Sequence, residues 1–425
     1  MAIRLTAEQQ AILDGKKGET MAKVMKTLVM YGEAFGATEM VPVTGEKGHL
    51  VTSFGLKVMN PVYDLMDQLI EAGALSSQKF SVDPKPLDKN VPANFLQKLI
   101  FNKFMYSKQA SYDEQLRKMG LMNDNAYTCA CYLDEINNTP KKGDVLSWAE
   151  SSAVVFVNSV LGARCNRNSG IIELFGSIVG YVPKFGLLTD EGRKATWIVE
   201  VKTTSKPEAQ VLGSAIGMKV MEDVPYIKGL TDFIGNELND DAKAYLKDFG
   251  AATASNGAVG LYHIDGRTPE AVAQGEDIIA ENPQVYVIDD AELKRVKDSY
   301  PCIWKDKNAK PKLCFIGCPH LSYAQLIQWT LDVENALKAS GKSKVCIPTV
   351  FTTAPDVMDK FNKTEYAQRL KNTGVILSYI CPLMYMNNPL CKSMPVITNS
   401  NKLRTYTTSR YYTSAEILEK ITKGV

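Results

Sequence analysis

The chain has 425 residues, 45% of them hydrophobic and 23% charged, with 49 basic against 47 acidic side chains and a formal net charge of +2. This composition is typical of a globular protein with a large core, and the length allows two or three domains. Because the charges balance and no long run of one sign occurs, we expect neither nucleic acid nor an anionic membrane as a partner. No stretch of about 18 uncharged apolar residues occurs, which argues against a membrane span.

The first residues lead directly into a helix signal, without the apolar core of a secretion signal. Nine cysteines are spread from Cys129 to Cys391 without a short-spaced framework. In a chain of this size that lacks a secretion signal, such cysteines are typical of reduced thiols rather than disulfides. We therefore expect a cytoplasmic protein.

The first elements carry clear start and stop signals. Residues 6–9 read as a capping box, and apolar residues at helical spacing over 21–29 predict a second helix. Residues 40–44 alternate enough to predict a short strand. Asn60-Pro61 opens a further helix, and Gly73 lies just beyond its predicted end.

The second half alternates strand and helix patterns, which predicts an α/β fold with parallel sheets and helices on their faces. Approximate domain breaks are expected near 81–92, a loop-like stretch with three prolines, and near 240–258. The predicted strands are 197–201, 258–264, 284–288, 312–316, 345–351 and 374–380, and the predicted helices are 269–282, 289–298, 322–340 and 355–372.

Residues suited to catalysis or metal binding follow several predicted strands. His263, His320, Cys318 and Cys381 all occupy such positions, and His49 follows the strand at 40–44 in a Gly-containing turn. In open parallel sheets, ligands bind outside the carboxyl ends of the strands. Each histidine alone is as readily a hydrogen-bonded turn residue. Their shared position after strands favours catalytic roles for all three.

Most of the other cysteines suit packing, since free cysteine usually behaves as a small apolar side chain. Cys129 is ambiguous by itself. No CxxC pair is present, so the spacing permits a metal site only from distant cysteines. Those assigned to core or loop packing are Cys302, Cys314, Cys346 and Cys391.

The segment Trp148–Arg167 predicts a buried helix with an apolar body, Ala153–Ala163, capped by Ser151 or Ser152. One interpretation is a buried helix whose polar groups bond neighbouring backbone. The other is a helix aimed at a cavity, with an arginine free to bind a carboxylate or phosphate. The residue types leave both open. The polar residues concerned are Glu150, Asn158, Ser159, Arg164, Asn166 and Arg167.

This same segment resembles the signature string of the aconitase X family, and family-like segments continue in order along the whole chain. The resemblance implies an aconitase-like, multi-domain α/β/α core with parallel sheets. It also implies an iron–sulfur cluster, 4Fe–4S or 2Fe–2S, held by Cys129, Cys318 and Cys381. The further family-like segments are Thr128-Cys129, Leu187–Arg193, Leu212–Gly217, His263–Ala271, Gly317–His320, Gly374–Cys381 and Thr398–Lys402 with Tyr406.

The activity implied by the resemblance is that of a hydro-lyase, in which an open iron polarises the hydroxyl of a small hydroxy acid. We expect cis-3-hydroxy-L-proline as the substrate, with mevalonate 5-phosphate as the alternative. The candidate catalytic residues are His49, Glu150, His263 and His320. The candidate substrate-binding residues are Ser151, Ser152, Asn158, Arg164, Asn166, Arg167, Ser400 and Lys402.

The family-like segments fill the chain and leave no room for the small swivelling domain of aconitase-like enzymes. The resemblance therefore implies a separate small subunit, in a heterodimer or a larger assembly. Cys131 and Cys165 depart from the family pattern, as do Tyr379-Ile380 before Cys381 and the stretch Ser81–Asp88. Two other functions stay open: a non-catalytic small-molecule-binding subunit with a decayed cluster site, and a metal-independent enzyme with a histidine base.

Overall fold

The computed structural model describes residues 3–51 and 54–424. The helices are α1 (Ala7–Leu13), α2 (Glu19–Ala34), α3 (Asn60–Glu71), α4 (Phe95–Leu99), α5 (Gln109–Met119), α6 (Ser151–Phe156), α7 (Gly170–Val179), α8 (Ala209–Val220), α9 (Thr231–Ile234), α10 (Asp240–Asn256), α11 (Pro269–Gln274), α12 (Asp290–Asp298), α13 (Tyr323–Ala339), α14 (Pro355–Phe361), α15 (Glu365–Asn372), α16 (Pro382–Met386), α17 (Asn401–Tyr406) and α18 (Ser414–Lys423). None of the helices in the described ranges has the length and apolar character needed to cross a membrane.

The strands form two larger parallel sheets and two small pairs. One sheet has the order β7-β6-β5-β8 and the other β11-β10-β9-β12-β13, with every neighbouring pair parallel. The predicted α/β class with parallel sheets is confirmed. The strands are β1 (Met40–Pro42), β2 (Gly48–Leu50), β3 (Phe80–Val82), β4 (Tyr181–Pro183), β5 (Ala195–Val201), β6 (Pro225–Lys228), β7 (His263–Ile264), β8 (Ile279–Ile288), β9 (Leu313–Leu321), β10 (Thr349–Thr353), β11 (Ile376–Ser378), β12 (Val396–Thr398) and β13 (Arg410–Tyr411).

The N-terminal signals are confirmed. The Thr6 hydroxyl accepts a hydrogen bond from the Gln9 amide at 3.2 Å, and the Gln9 side chain accepts one from the Thr6 amide at 2.9 Å. This reciprocal pair satisfies two of the donors that a helix start leaves free. Helix α2 buries Val24, Met25 and Leu28 along one face, as its apolar spacing predicts.

One predicted helix ends earlier than expected, and another is interrupted. The helix predicted over 269–282 stops at Gln274, because Gly275 takes a positive φ of 57°. Residues from Ile279 onward join β8 instead, where Ile279 pairs with Ala195 of β5. The helix predicted over 355–372 divides into α14 and α15, because Thr364 adopts an extended conformation at the start of α15.

The three histidines were predicted to lie just after strands, but all three lie within strands. His49 lies within β2, His263 begins β7, and His320 lies within β9 together with Cys318. Only the last two residues of the strand predicted over 258–264 are extended and paired. Strand β9 runs five residues beyond its predicted end at 316, because pairing with β10 resumes after a bulge, with Thr353 opposite Leu321.

Helix α6 is buried on all sides, as predicted, but its cap is different. The Glu150 side chain, rather than Ser151 or Ser152, accepts a hydrogen bond from the Ser152 amide at 3.1 Å and begins the helix. The helix continues into a π-helical turn, Val157–Leu161. The domain breaks near 81–92 and 240–258 stay predictions; residues 240–256 form α10.

Candidate active site

A cavity of about 470 Å³ lies beside the last part of β9. Three cysteines that are far apart in sequence line it. Cys129 lies in the loop that leads toward α6, Cys318 lies in β9, and Cys381 follows β11 at the start of α16. The charged side chains of Asp83, Glu150 and Lys402 line the same cavity.

The three thiols are free, and two of them are buried. Cys318 and Cys381 are buried and Cys129 is partly exposed, and none forms a disulfide. Burial raises the pKa of each of the three thiols, and the Lys402 ammonium opposes this shift. The thiolate form that a metal requires therefore needs positive charge in the cavity.

Residues 3–51 and 54–424 hold no group of three His, Cys, Asp or Glu close enough to enclose a single metal ion. A cluster of several irons separates its ligands farther than one ion does. Three free cysteines around one cavity are the residue type that would hold an iron–sulfur cluster.

Lys402 and Glu150 form a buried ion pair at the cavity wall. The Lys402 ammonium donates to Glu150 Oε1 and lies 3.3 Å from the Ser152 hydroxyl, which itself donates to Glu150 at 2.7 Å. Burial opposes ionisation of the Glu150 carboxyl, but Lys402 outweighs it and lowers the pKa to about 2. Burial likewise opposes the Lys402 charge, but Glu150 raises the pKa of the ammonium above its usual value. Both groups are therefore charged at neutral pH.

Asp83 was not among the predicted site residues, yet its carboxyl lines the cavity. Burial and the nearby Glu150 raise its pKa to about 6. His49 Nε2 lies 3.3 Å from Asp83 Oδ1, and His49 Nδ1 lies 2.9 Å from the Ser81 hydroxyl. Asn138 donates to that hydroxyl at 2.9 Å. His49 itself does not line the cavity; it lies beside the Asp83 carboxyl, which does.

The surroundings of His49 favour its charged form. Burial lowers the pKa of its imidazole, but contacts with Cys131 and Asp83 outweigh it, and the pKa is raised well above the usual value. In the charged form both ring nitrogens are donors, and Nε2 lies 3.3 Å from the Asp83 carboxyl. The structure therefore places His49, which was predicted to be catalytic, beside Asp83 and outside the cavity lining.

His320 lines the cavity, but the protein already uses both of its ring nitrogens. Nε2 lies 3.2 Å from the Ile380 carbonyl, which can only accept, so Nε2 carries the proton. Nδ1 then accepts from the Thr128 hydroxyl at 3.1 Å. Burial lowers the pKa of His320 to about 4. A neutral ring without a free nitrogen does not suit the catalytic role predicted for it.

His263 lies outside the cavity. Its Nε2 bonds the Arg193 carbonyl at 2.8 Å, and burial lowers its pKa. The Arg193 guanidinium donates to Glu270 and to the Asn158 carbonyl, so this neighbourhood is an internal polar network. The structure does not bring His263 together with the cysteines.

The buried-helix interpretation holds for most polar residues of Trp148–Arg167. The Asn158 amide donates to the Cys165 and Gly260 carbonyls at 2.8 and 2.9 Å and accepts from the Cys165 amide at 2.9 Å. Ser159 accepts from the Tyr262 amide at 2.9 Å. The Asn166 side chain likewise bonds backbone, at Phe185 and Leu187. These groups are satisfied within the protein and none lines the cavity.

The two arginines of this segment have different surroundings. Arg164 lies near the surface, where its guanidinium bonds Asp190 and the Leu188 carbonyl, and it does not line the cavity. Arg167 forms no hydrogen bond or ion pair within residues 3–51 and 54–424, although burial lowers the pKa of its guanidinium. Arg167 does not itself line the cavity, but Glu150 and Tyr406, which do, are close enough to oppose that shift.

The three serines predicted to bind substrate have different positions relative to the cavity. Ser151 lines the cavity, and Ser152 supports Glu150 and Lys402 from behind. Ser400 does not line the cavity; its hydroxyl accepts from the Leu403 amide at 3.1 Å, which begins α17, and donates to the Cys318 carbonyl. The hydroxyl thereby holds the helix that carries Lys402 against the strand that carries Cys318.

Comparison with protein-family models gives matches along nearly the whole chain. Residues 2–191 match the aconitase X first domain, residues 195–298 the second domain, and residues 311–421 the third domain. The structure is similar to the crystal structure of Thermococcus kodakaraensis aconitase X in its holo-form, with a TM-score of 0.79 and 29% identity. That match covers 99% of this chain and 100% of the other.

Curated relatives carry dehydratase names. A phosphomevalonate dehydratase large subunit from Thermococcus kodakarensis is 33% identical over 371 residues, which cover 86% of each chain. A cis-3-hydroxy-L-proline dehydratase from Hypocrea jecorina is 28% identical over 342 residues, which cover 77% of this chain and 52% of the relative.

Proposed function

The chain belongs to the aconitase X family of dehydratases, and from this premise we propose that it is the large subunit of an iron–sulfur hydro-lyase acting on mevalonate 5-phosphate. The observation that carries the proposal is the meeting of Cys129, Cys318 and Cys381 at one shielded cavity. A charged lysine lies in the same wall and supplies the positive charge that thiolate ligands need.

The choice of substrate rests on the extent of similarity. The phosphomevalonate dehydratase relative is a large subunit of comparable length, with 86% of each chain aligned. The cis-3-hydroxy-L-proline dehydratase is much longer, with only 52% of it aligned. Cis-3-hydroxy-L-proline is the substrate expected from the sequence, and because a relative carries that name, it remains the second candidate.

Cys129, Cys318 and Cys381 would hold the cluster. When bound, it supplies Lewis-acid polarisation of the leaving hydroxyl. The neighbouring side chains fit this assignment: the His320 amide donates to Cys129 Sγ at 3.5 Å, and Ser400 fixes the backbone of Cys318. Such contacts orient ligands and tune their basicity.

The remaining groups of the chain bind substrate and move a proton. Lys402, oriented by Glu150, and the unpaired Arg167 bind the anionic ends of the substrate. Asp83 accepts the proton removed beside a carboxylate, since a carboxyl with a pKa of about 6 is ionised at neutral pH and still a useful base. His49 positions Asp83 for this task.

The proposed enzyme needs a small partner subunit, because the relatives of matching length are named large subunits. A second subunit placed over the cavity would exclude water from the reaction. We also place the protein in the cytoplasm, where thiols stay reduced.

The direct test is anaerobic co-expression of the chain with its small subunit, followed by assays of both substrates. We expect a brown protein that contains iron and sulfide and dehydrates mevalonate 5-phosphate with a higher kcat/KM than cis-3-hydroxy-L-proline. The reverse preference would establish the second substrate. A colourless complex that binds either compound without turnover would instead indicate a non-catalytic binding subunit.

Arg167 offers a test of the anion site with a matched control in the same loop. We expect Arg167→Met to raise KM about 10- to 100-fold with a smaller change in kcat, because a charge-assisted contact to the substrate is worth about 1.5–3 kcal/mol. Arg164→Met also removes a guanidinium, but one that is already paired with Asp190. KM of this variant should therefore stay within about 3-fold of wild type. Equal effects of the two changes would exclude a specific role for Arg167.

A further inference from the structure

An exposed apolar surface lies beside the cavity. It consists of Val58, Phe95, Leu96, Leu99 and Phe104, and we call it the 58–104 patch. Val58 and Phe95 are each 82% exposed and Phe104 is 60% exposed. Single exposed apolar residues are common on protein surfaces, but a contiguous group that includes two phenylalanines marks an interaction site.

The backbone beneath the patch is firmly anchored. The Tyr106 hydroxyl donates to the Met384 carbonyl at 2.7 Å, and the Phe101 ring packs against Tyr385 at 5.3 Å between ring centres. Gln97 is buried and bonds Cys391 Sγ. The exposed side chains therefore stand on a fixed segment and are not part of a poorly packed loop.

These anchors connect the patch to the candidate active site. Helix α16 carries Met384 and Tyr385 and begins directly after Cys381, and Leu383 and Met384 line the cavity. On the other side, Phe54 lines the cavity and Leu56 packs with the residues beneath the patch. A protein bound to the patch would lie beside the cavity.

The segment that carries most of the patch bears charge of one sign. Residues 89–108 contain four lysines and no aspartate or glutamate. Lys57, Lys98 and Lys103 are exposed, and none forms an ion pair within residues 3–51 and 54–424. A second copy of this chain would bring lysines against lysines across a two-fold axis, which disfavours a homodimer through this face.

We propose that the 58–104 patch is the docking surface of the small partner subunit, which presents an apolar face rimmed by acidic side chains. This inference rests on the proposed function for the identity of the partner. Apolar side chains at the centre of an interface supply most of the binding energy, and the surrounding charges select the partner and speed its association. Docking at this position closes the cavity beside Cys381.

The test measures binding of the purified small subunit from the same organism to variants of the large subunit, prepared anaerobically with iron content and thermal unfolding as folding controls. We expect Phe95→Glu/Phe104→Glu to weaken Kd at least about 100-fold. The matched control, Val272→Glu/Ile303→Glu, changes residues that are 63% and 58% exposed elsewhere, and Kd should stay within about 3-fold. Lys98→Glu/Lys103→Glu should slow association about 10-fold at low salt and reduce its salt dependence.

Unchanged affinity of Phe95→Glu/Phe104→Glu would overturn the proposal. So would a patch-dependent binding to vesicles of equal parts phosphatidylcholine and phosphatidylserine, with the affinity for the small subunit unaffected. The proposed function fails separately: a complex that forms through the patch but dehydrates neither substrate leaves the docking surface standing. Conversely, if the complex has full dehydratase activity and the patch variants do not change its Kd, only the docking surface is rejected.

Discussion

Replacement of Cys318 by alanine is expected to remove bound iron and sulfide and to lower kcat/KM at least about 1,000-fold. Cys318 lines the cavity between the other two candidate ligands, and two thiols leave an additional iron without a protein ligand. Lewis-acid polarisation of a leaving oxygen is worth several kcal/mol, and each 1.36 kcal/mol is a factor of ten in rate. The measurements are iron and sulfide content, the visible absorption spectrum and kcat/KM after anaerobic purification with the small subunit.

Cys314→Ala is the matched control. Cys314 lies on the same strand and is fully buried, but it does not line the cavity. Both substitutions delete one sulfur, so the packing cost is of the same kind, about 1 kcal/mol. We expect Cys314→Ala to keep its colour and activity. A Cys318→Ala protein that retains iron and turnover would reject the proposed ligand set.

The rule that ligands bind outside strand ends located part of this site from sequence alone. It selected Cys318 and Cys381, which both line the cavity, although Cys318 lies inside a longer β9 rather than after it. The length of β9 depends on pairing with β10, about 30 residues away in sequence, and local pattern does not contain that information. Cys129 has no such signal and is nominated only by the family resemblance.

Asp83 shows what the same rule could have found. It directly follows β3, a strand of only three residues inside a stretch whose prolines predict a loop. Strands this short carry too little alternation to be recognised, and β3 exists because it pairs with β2. His49 was selected for its residue type, but its place behind Asp83 depends on this same pairing of β2 with β3.

The segment Trp148–Arg167 could be predicted as buried but not divided into structural and cavity-facing residues. The π-helical turn Val157–Leu161 adds a residue to the helix, which rotates the following side chains by about 100° relative to a regular α-helix. Asn158, inside this turn, bonds backbone, whereas Arg167 lies beyond the end of the helix, near Glu150 and Tyr406. A periodic pattern assumes constant twist, so it cannot assign these directions.

Lys402→Met is expected to lower the free energy of unfolding by about 3–5 kcal/mol and to abolish turnover. The change leaves the buried Glu150 carboxylate without its ammonium partner, and removal of one member of a buried pair carries a cost of this size. Activity is lost for a second reason, because Lys402 is the proposed contact for the substrate anion. Urea unfolding and kcat/KM on the same preparation measure the two effects.

The double variant Glu150→Gln/Lys402→Met separates these effects. The introduced glutamine side chain is neutral and its amide oxygen can still accept from the Ser152 amide, so most of the lost stability should return. Activity should not return, since the positive charge at the cavity is still missing. Recovered stability with recovered turnover would show that Lys402 only neutralises Glu150. Recovered stability without turnover is the result expected of a substrate-binding lysine. It would show that the fold can do without the positive charge of Lys402 but that the reaction cannot.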